Sequence, residues 1–287
     1  MYISMKDLIR TIRSSAGMNQ ERFASALGTT PLSINRWENG KTIPNRMAQM
    51  QLYNFCKEHD IDVIGSIMDS NSWSGSDDKV ILYHGSKKGI IGDIAPISRG
   101  ECDFGSGFYM GTDVLQPLTL ICNEERPKLY AVELDMTGLK VLNMDVGIDW
   151  AMLIAYHRKE MENVRGTPIY ERYAHMLDGY DVVIGHIADD RMYTELSRFF
   201  NKSLTDVALV NCLSVLDLGR QYVAISERAC ERIRVLNETS LSQLELLLLR
   251  DMSIQRRKEG IALTERMEVR YRREGRYFDE ILEGDVP

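Results

Sequence analysis

VILYHGS, residues 80–86, is four strand formers ending on an imidazole, followed by two residues with almost no side chain. Val80, Ile81, Leu82 and Tyr83 favour a pleated, half-buried surface. Gly85 leaves the backbone beside His84 open to close approach. Outward from it, residues 66–79 (SIMDSNSWSGSDDK) have the composition of a flexible linker, which puts a boundary near Asp77. On the other side lies DFGSGFYMGTD, residues 103–113, where two glycines flank a turn that delivers Phe108 and Tyr109 onto a strand. Further strands are expected at Lys128–Asp135, Asp181–Gly185 and Gln221–Ser226, with helical stretches near 148–163, 168–178 and 190–216. Without regular βαβ alternation the body is expected to be α+β. No GxGxxG runs from a strand into a helix, so a dinucleotide fold of the doubly wound type is not indicated.

The whole chain bounds the reading. It has 287 residues, 44% apolar and 27% charged, which fits an ordinary globular protein of two or three units. Residues 1–57 carry eight Lys/Arg against three acids, a charge of +5; the total of −7 leaves −12 for the remainder. A basic head on an acidic body points to nucleic-acid contact at the head only. Five scattered cysteines without a CxxC pair suggest neither zinc nor a disulfide framework, and the histidines show no ligand spacing, so no metal is expected. No apolar run approaches a membrane span, and MYISMKDLIRTIR lacks a signal peptide's apolar core; a cytoplasmic location is expected.

The head reads as short helices with tight turns. Leu8, Ile9 and Ile12 share one face, and Gly17 ends that helix. Asn19 caps the next, stopped at Gly28. Thr30 caps a third that begins with Pro31, buries Ile34 and Trp37, and ends at Asn39-Gly40. Two such helices across a Gly turn make a helix-turn-helix. Gln20, Ala24, Leu27-Gly28, Ser33-Ile34, Arg36 to Gly40 and Pro44 resemble the phage-repressor (Cro/C1) type of DNA-binding domain over about 55 residues. That resemblance implies that Gln20, Asn39, Lys41 and Arg46 position phosphates while Ser33 and Arg36 face bases. Pro31 and Leu32 stand where polar base-readers are common, leaving them thymine methyls or sugars to touch. A fold kept only for dimerisation or partner binding is the competing reading.

In the body, Tyr83–Ser86, Arg99 to Tyr109, Tyr180 to Arg191 and Gln221-Tyr222 together resemble the ADP-ribosyltransferase superfamily, in its diphtheria-toxin and poly(ADP-ribose) polymerase branch. The resemblance spans about residues 80–235 and implies a triad of His84, Tyr109 and Gln221, with Gln221 where relatives carry a catalytic Glu. It implies NAD as co-substrate and no metal. His84 would bond the adenosine ribose, Gly85 the nicotinamide amide, and Tyr109 would stack on the nicotinamide, all in one pocket. Ser86, Phe104, Gly107 and Phe108 would line that pocket. Arg99 would hold the diphosphate or pair with Asp103, and Arg191 would contact the dinucleotide. Asp189 and Asp190 would serve substrate binding or cap a helix. The relatives' Ser and second Tyr are replaced by Leu118, Leu120 and Ile121, and Pro117 fits a helix there only in its first turn. A carboxylate about 4 Å from the developing cation contributes on the order of 4 kcal/mol at an effective dielectric near 20, and Gln221 lacks that charge; slow, single transfer is expected.

Residues 238–287 show a leucine stripe, Leu241, Leu244, Leu247, Leu248 and Met252, and a second charge-laced helix from Leu263 to Tyr271. The expected organisation is a helix-turn-helix domain over 1–67, a linker over 68–79, an ADP-ribosyltransferase-like domain over 80–237 and a helical extension over 238–287, packed on the body as a hairpin or covering its cleft or a dimer seam. The expected function is mono-ADP-ribosyl transfer by a toxin or phage-defence effector. DNA binding would serve autoregulation or targeting, a protein or nucleic acid would be the acceptor, an antitoxin a partner, and a homodimer the assembly. Two other readings stand beside it: a transcriptional regulator that senses NAD or ADP-ribose without turnover, and a NAD glycohydrolase.

Overall fold

The structure, a computed structural model, describes residues 4–64, 78–98, 101–187, 192–215 and 219–284. The head is four helices: α1 (Met5–Ser15), α2 (Gln20–Ala26), α3 (Pro31–Glu38) and α4 (Arg46–Glu58). Each begins on a side chain that accepts a bond from a free backbone N–H of its first turn: Ser4, Asn19, Thr30 and Asn45. Gly17, Gly28 and Gly40 follow the first three helices with φ of 63°, 61° and 66°, a left-handed turn that costs glycine nothing. Leu8, Ile9, Ile12, Phe23, Ile34 and Leu52 are wholly buried between the helices.

The body is a mixed α+β domain around a seven-stranded sheet of order β4-β5-β6-β2-β1-β3-β7. The strands are β1 (Lys79–Ser86), β2 (Phe108–Gly111), β3 (Lys128–Asp135), β4 (Val141–Asn143), β5 (Val182–His186), β6 (Arg220–Ala224) and β7 (Ile233–Ser240). All neighbours are antiparallel except β4 and β5. Its helices are α5 (Leu115–Ile121), α6 (Ile148–His157), α7 (Pro168–Ala174), α8 (Met192–Phe200), α9 (Asp206–Ser214) and α10 (Glu227–Cys230). Strand alternation divides the side chains between two cores. Val183 and Val223 join Trp150, Leu153 and Phe199 under the helices. Leu82, Phe108, Met110 and Ile184 lie on the opposite face.

The tail departs from the expected hairpin. One helix of 29 residues, α11 (Gln243–Tyr271), runs through Gly260, and a short α12 (Phe278–Gly284) follows. Gly260 is buried and stays helical. The sheet also runs past the expected boundary at 237, to Ser240. The linker expected at 68–79 falls largely outside the described residues; β1 begins at Lys79.

The start of α11 binds the head. Leu244, Leu246, Leu248 and Leu249 share one core with the head's apolar residues and with Leu115 and Leu118 of α5. Leu244 and Leu249 are fully buried, and each contributes roughly 1.5–3 kcal/mol. Buried Gln49 donates to the Pro44 carbonyl (2.8 Å) and accepts from the Leu244 backbone N–H (3.0 Å), while Tyr53 donates to Asp251 (2.6 Å). Head, tail and α5 are thus one packed unit. Among the described residues no helix is long and apolar enough to cross a membrane.

Candidate functional site

In the head, α2 and α3 form the helix-turn-helix, and Arg36, Asn39, Lys41 and Arg46 stand exposed around it. Arg36 lies on α3, the recognition helix, clear of its buried side of Ile34 and Trp37. Ser33 is half-buried, with its hydroxyl 3.0 Å from that of the cap Thr30. Asn39 donates to the Asn35 carbonyl at 2.8 Å. Gln20 differs from the phosphate-positioning role: its amide donates to Glu38 at 2.6 Å, and buried Glu38 also takes Arg13 at 2.6 Å. That network braces the fold from inside, so Gln20 is structural first. Leu32 is 60% exposed, available to the apolar contacts expected of it.

In the body, His84, Tyr109 and Gln221 lie on β1, β2 and β6, three consecutive strands of the sheet. The sheet is weakest between the first two. β1 pairs with β3 through eight residues and β2 with β6 through four, but β1 and β2 meet only at Tyr83 and Gly111. Past that point the His84 imidazole takes over from the backbone, with Nδ1 2.7 Å from the Tyr109 carbonyl. A carbonyl only accepts, so Nδ1 carries the proton and Nε2 is left as an acceptor. Burial lowers the His84 pKa, outweighing that bond, and the ring stays neutral. It stacks on Phe108 with centroids 4.2 Å apart.

The Tyr109 ring does not converge with the His84 ring. Phe108 and Tyr109 are consecutive in a strand, so they point to opposite faces, and His84 is on the Phe108 side. Tyr109 is locked on the helix-covered face. Its hydroxyl donates to the Gly105 carbonyl (2.8 Å) and accepts from the Phe104 N–H (2.9 Å). Burial, reinforced by nearby Asp103, raises its pKa far above the ordinary phenol range. Gln221 shares this face, through the pairings Tyr109 with Val223 and Gly111 with Gln221.

Around Gln221 the structure assembles polar groups that sequence reasoning missed. Gln221 is 5% exposed, and its amide nitrogen donates to Asp103 (2.8 Å) and to the His186 carbonyl (3.1 Å). Asp103 is equally buried and forms an ion pair with Arg158 at the end of α6. His157, next in the chain, has its Nε2 buried without a hydrogen bond; burial lowers its pKa to about 4, opposed by Asp103. Ser98 ties the loop again, donating to the Gly105 carbonyl and accepting from the Gly107 N–H, both at 3.1 Å. The signal for Asp103 was in the D-F-G stretch; nothing local pointed to Arg158, 55 residues away.

Other expected lining residues sit differently. Phe104 is buried core: a Cβ on Gly185 would lie 2.6 Å from its ring. It is therefore no ligand contact. A Cβ on Gly107 would meet Val223 at 2.5 Å, and one on Gly85 would meet Pro117 at 2.9 Å and Ile121 at 3.0 Å. These two glycines admit the chain's own packing; their substituent side is not free for a ligand. Pro117 sits in the first turn of α5, where its missing N–H is harmless. Ser86 accepts from the Gly89 N–H at 3.0 Å and closes the turn after β1. Arg99, Asp189, Asp190 and Arg191 lie outside the described residues. His84 Nε2 and Gln221 Oε1 are each suited to accept from a ribose hydroxyl, but they lie on opposite faces of the sheet, so the expected single pocket does not gather both.

A family model described as "Protein of unknown function (DUF3990)" matches residues 80–235, and a helix-turn-helix family model matches residues 9–46. No curated protein and no solved structure matches the chain.

Proposed function

The chain belongs to the DUF3990 family, and from that premise we propose that its body is an NAD-dependent mono-ADP-ribosyltransferase carried by a DNA-binding helix-turn-helix head. The observation that supports it is the sparse pairing of β1 with β2, bridged by a neutral imidazole, with Tyr109 and Gln221 on the next two strands. In the proposed reaction the bond between nicotinamide nitrogen and ribose C1′ breaks and the electron pair leaves with nicotinamide. C1′ then bonds to a nucleophilic atom of the acceptor, whose proton passes to solvent. His84 Nε2 accepts from a ribose hydroxyl at the junction of β1 and β2, and Gln221 Oε1, on the opposite face, accepts from a second hydroxyl of a ligand that passes between these strands. Each such bond contributes a net ~1 kcal/mol. Gly85 and Ser86 form the strand end beside the dinucleotide, and Phe108 holds the imidazole flat.

The acidic body does not itself favour a nucleic-acid acceptor, so the head is the part that brings the enzyme to DNA, for its own promoter or for a target. A toxin or phage-defence effector held by an antitoxin is the biological setting that fits this pairing. Incubating the folded protein with labelled NAD and lysate tests it. Label on a macromolecule with nicotinamide released is expected; free ADP-ribose alone makes it a glycohydrolase; neither product removes the assignment.

One observation favours a second reading. The shared core of head, α5 and α11 joins the DNA-binding helices to the strand carrying Gly85. A regulator that binds NAD without turnover and changes its DNA affinity would use that connection. Calorimetric NAD binding with no product, together with NAD-dependent operator affinity, distinguishes it.

A further inference from the structure

We infer that Asp103 is the positioning residue of Gln221: it fixes the amide so that residue 221 meets a bound ribose only as a hydrogen-bond acceptor, through Oε1. The ligand in this inference rests on the transferase reading; the geometry does not.

Both hydrogens of the Gln221 amide are committed. One neighbour is the Asp103 carboxylate at 2.8 Å and the other the His186 carbonyl at 3.1 Å, and neither has a proton to give. A flipped amide would set Oε1 against two acceptors inside a buried site, so one orientation survives. Asp103 is itself held by the Arg158 guanidinium. Its chain neighbours are pinned by the Tyr109 hydroxyl at Phe104 and Gly105. The loop after Asp103 therefore fixes Tyr109 and Gln221 together.

The arrangement explains why glutamine, and not glutamate, stands at 221. A carboxylate there would bring an oxygen to Asp103 and to the His186 carbonyl with no proton between them. Like charges at that spacing drive protonation or disrupt the site. In this chain the negative charge belongs to position 103, one hydrogen bond behind residue 221, and Arg158 offsets it. Residue 221 keeps the acceptor polarity of a carboxylate and gives up its charge.

The experiment compares Gln221→Glu, Asp103→Asn and the double variant with wild type on the full chain, by thermal melting from pH 5 to pH 8 and by NAD titration with nicotinamide release. Gln221→Glu is expected to melt lower at pH 8 and to recover toward pH 5, where the protonated carboxyl introduced at 221 donates to Asp103. Its nicotinamide release at pH 8 is expected to fall about tenfold, because repulsion from Asp103 displaces the introduced carboxylate from its place at the ribose. In the double variant the amide introduced at 103 donates to the carboxylate introduced at 221, and the losses caused by Gln221→Glu are expected to be regained in part, since Arg158 has lost its carboxylate at 103; Asp103→Asn alone brings no such gain. If Gln221→Glu does not fold at pH 8, refolding by the second substitution carries the same information. A Gln221→Glu variant that melts like wild type at every pH and turns over normally would overturn the inference. A wild type that neither binds nor cleaves NAD defeats the transferase reading, and the pH-dependent melting of Gln221→Glu still decides the positioning.

Discussion

The head and the body use their polar residues in opposite ways. Around the recognition helix, Arg36, Lys41 and Arg46 are exposed and take part in no ion pair among the described residues, so their charge remains free for a polyanion. In the body, Asp103 and Gln221 are buried and interlocked with Arg158, and Tyr109 is tied down at both ends of its hydroxyl. The head's function is electrostatic and screened by salt. The function proposed for the body depends on a few hydrogen bonds whose geometry the fold already fixes. Substitutions in the two regions should therefore separate binding from stability.

The largest effect is expected at the buried pair. Asp103→Ala leaves Arg158 without its carboxylate and Gln221 without its acceptor, and should destabilise the protein by roughly 3–5 kcal/mol in denaturant titration. Next is the acid sensitivity conferred by His157. Its pKa is about 4 in the folded chain and near 6.5 in a free one, so below pH 6.5 the unfolded chain binds more protons. The stability from holding it neutral is intact above pH 6.5, is lost as pH falls and levels off below about 4. His157→Phe should flatten a slope of roughly 3 kcal/mol over that window, read from melts at successive pH values.

Gln49→Ala tests the seam between head and tail. It leaves the Leu244 N–H and the Pro44 carbonyl buried without partners and should cost about 1–3 kcal/mol. If the body melts unchanged while the head loosens, the two are less tightly joined than their shared core indicates. Smallest in stability is Arg36→Ala, within about 0.5 kcal/mol, because the side chain is exposed. Its DNA affinity should fall, with NAD chemistry unchanged; loss of both together contradicts the separation of the regions.

The same contrast explains what could be read from the sequence. The head's signals are local: Asn19, Thr30, Gly17, Gly28 and Gly40 act within one turn of where they stand, and all occupy the expected cap and stop positions. The body's strands around His84 and Gln221 were legible from composition, as was the turn before Phe108. The short β4 and the edge strand β7 were not, because each is defined by its pairing and not by its own residues. Alternation along β2 could have warned that Phe108 and Tyr109 part company, yet the motif suggested one pocket. Arg158 and the Asp103–Gln221 bond join residues 55 and 118 positions apart, a distance over which only the folded sheet carries information.

The central claim is that the imidazole between β1 and β2 serves cleavage of NAD. Mass spectrometry of macromolecules from cells producing the wild type, beside cells producing His84→Ala, addresses it directly. ADP-ribose adducts in the first and none in the second, with the variant still folded and binding DNA, are expected. Adducts in neither, or equally in both, contradict the claim.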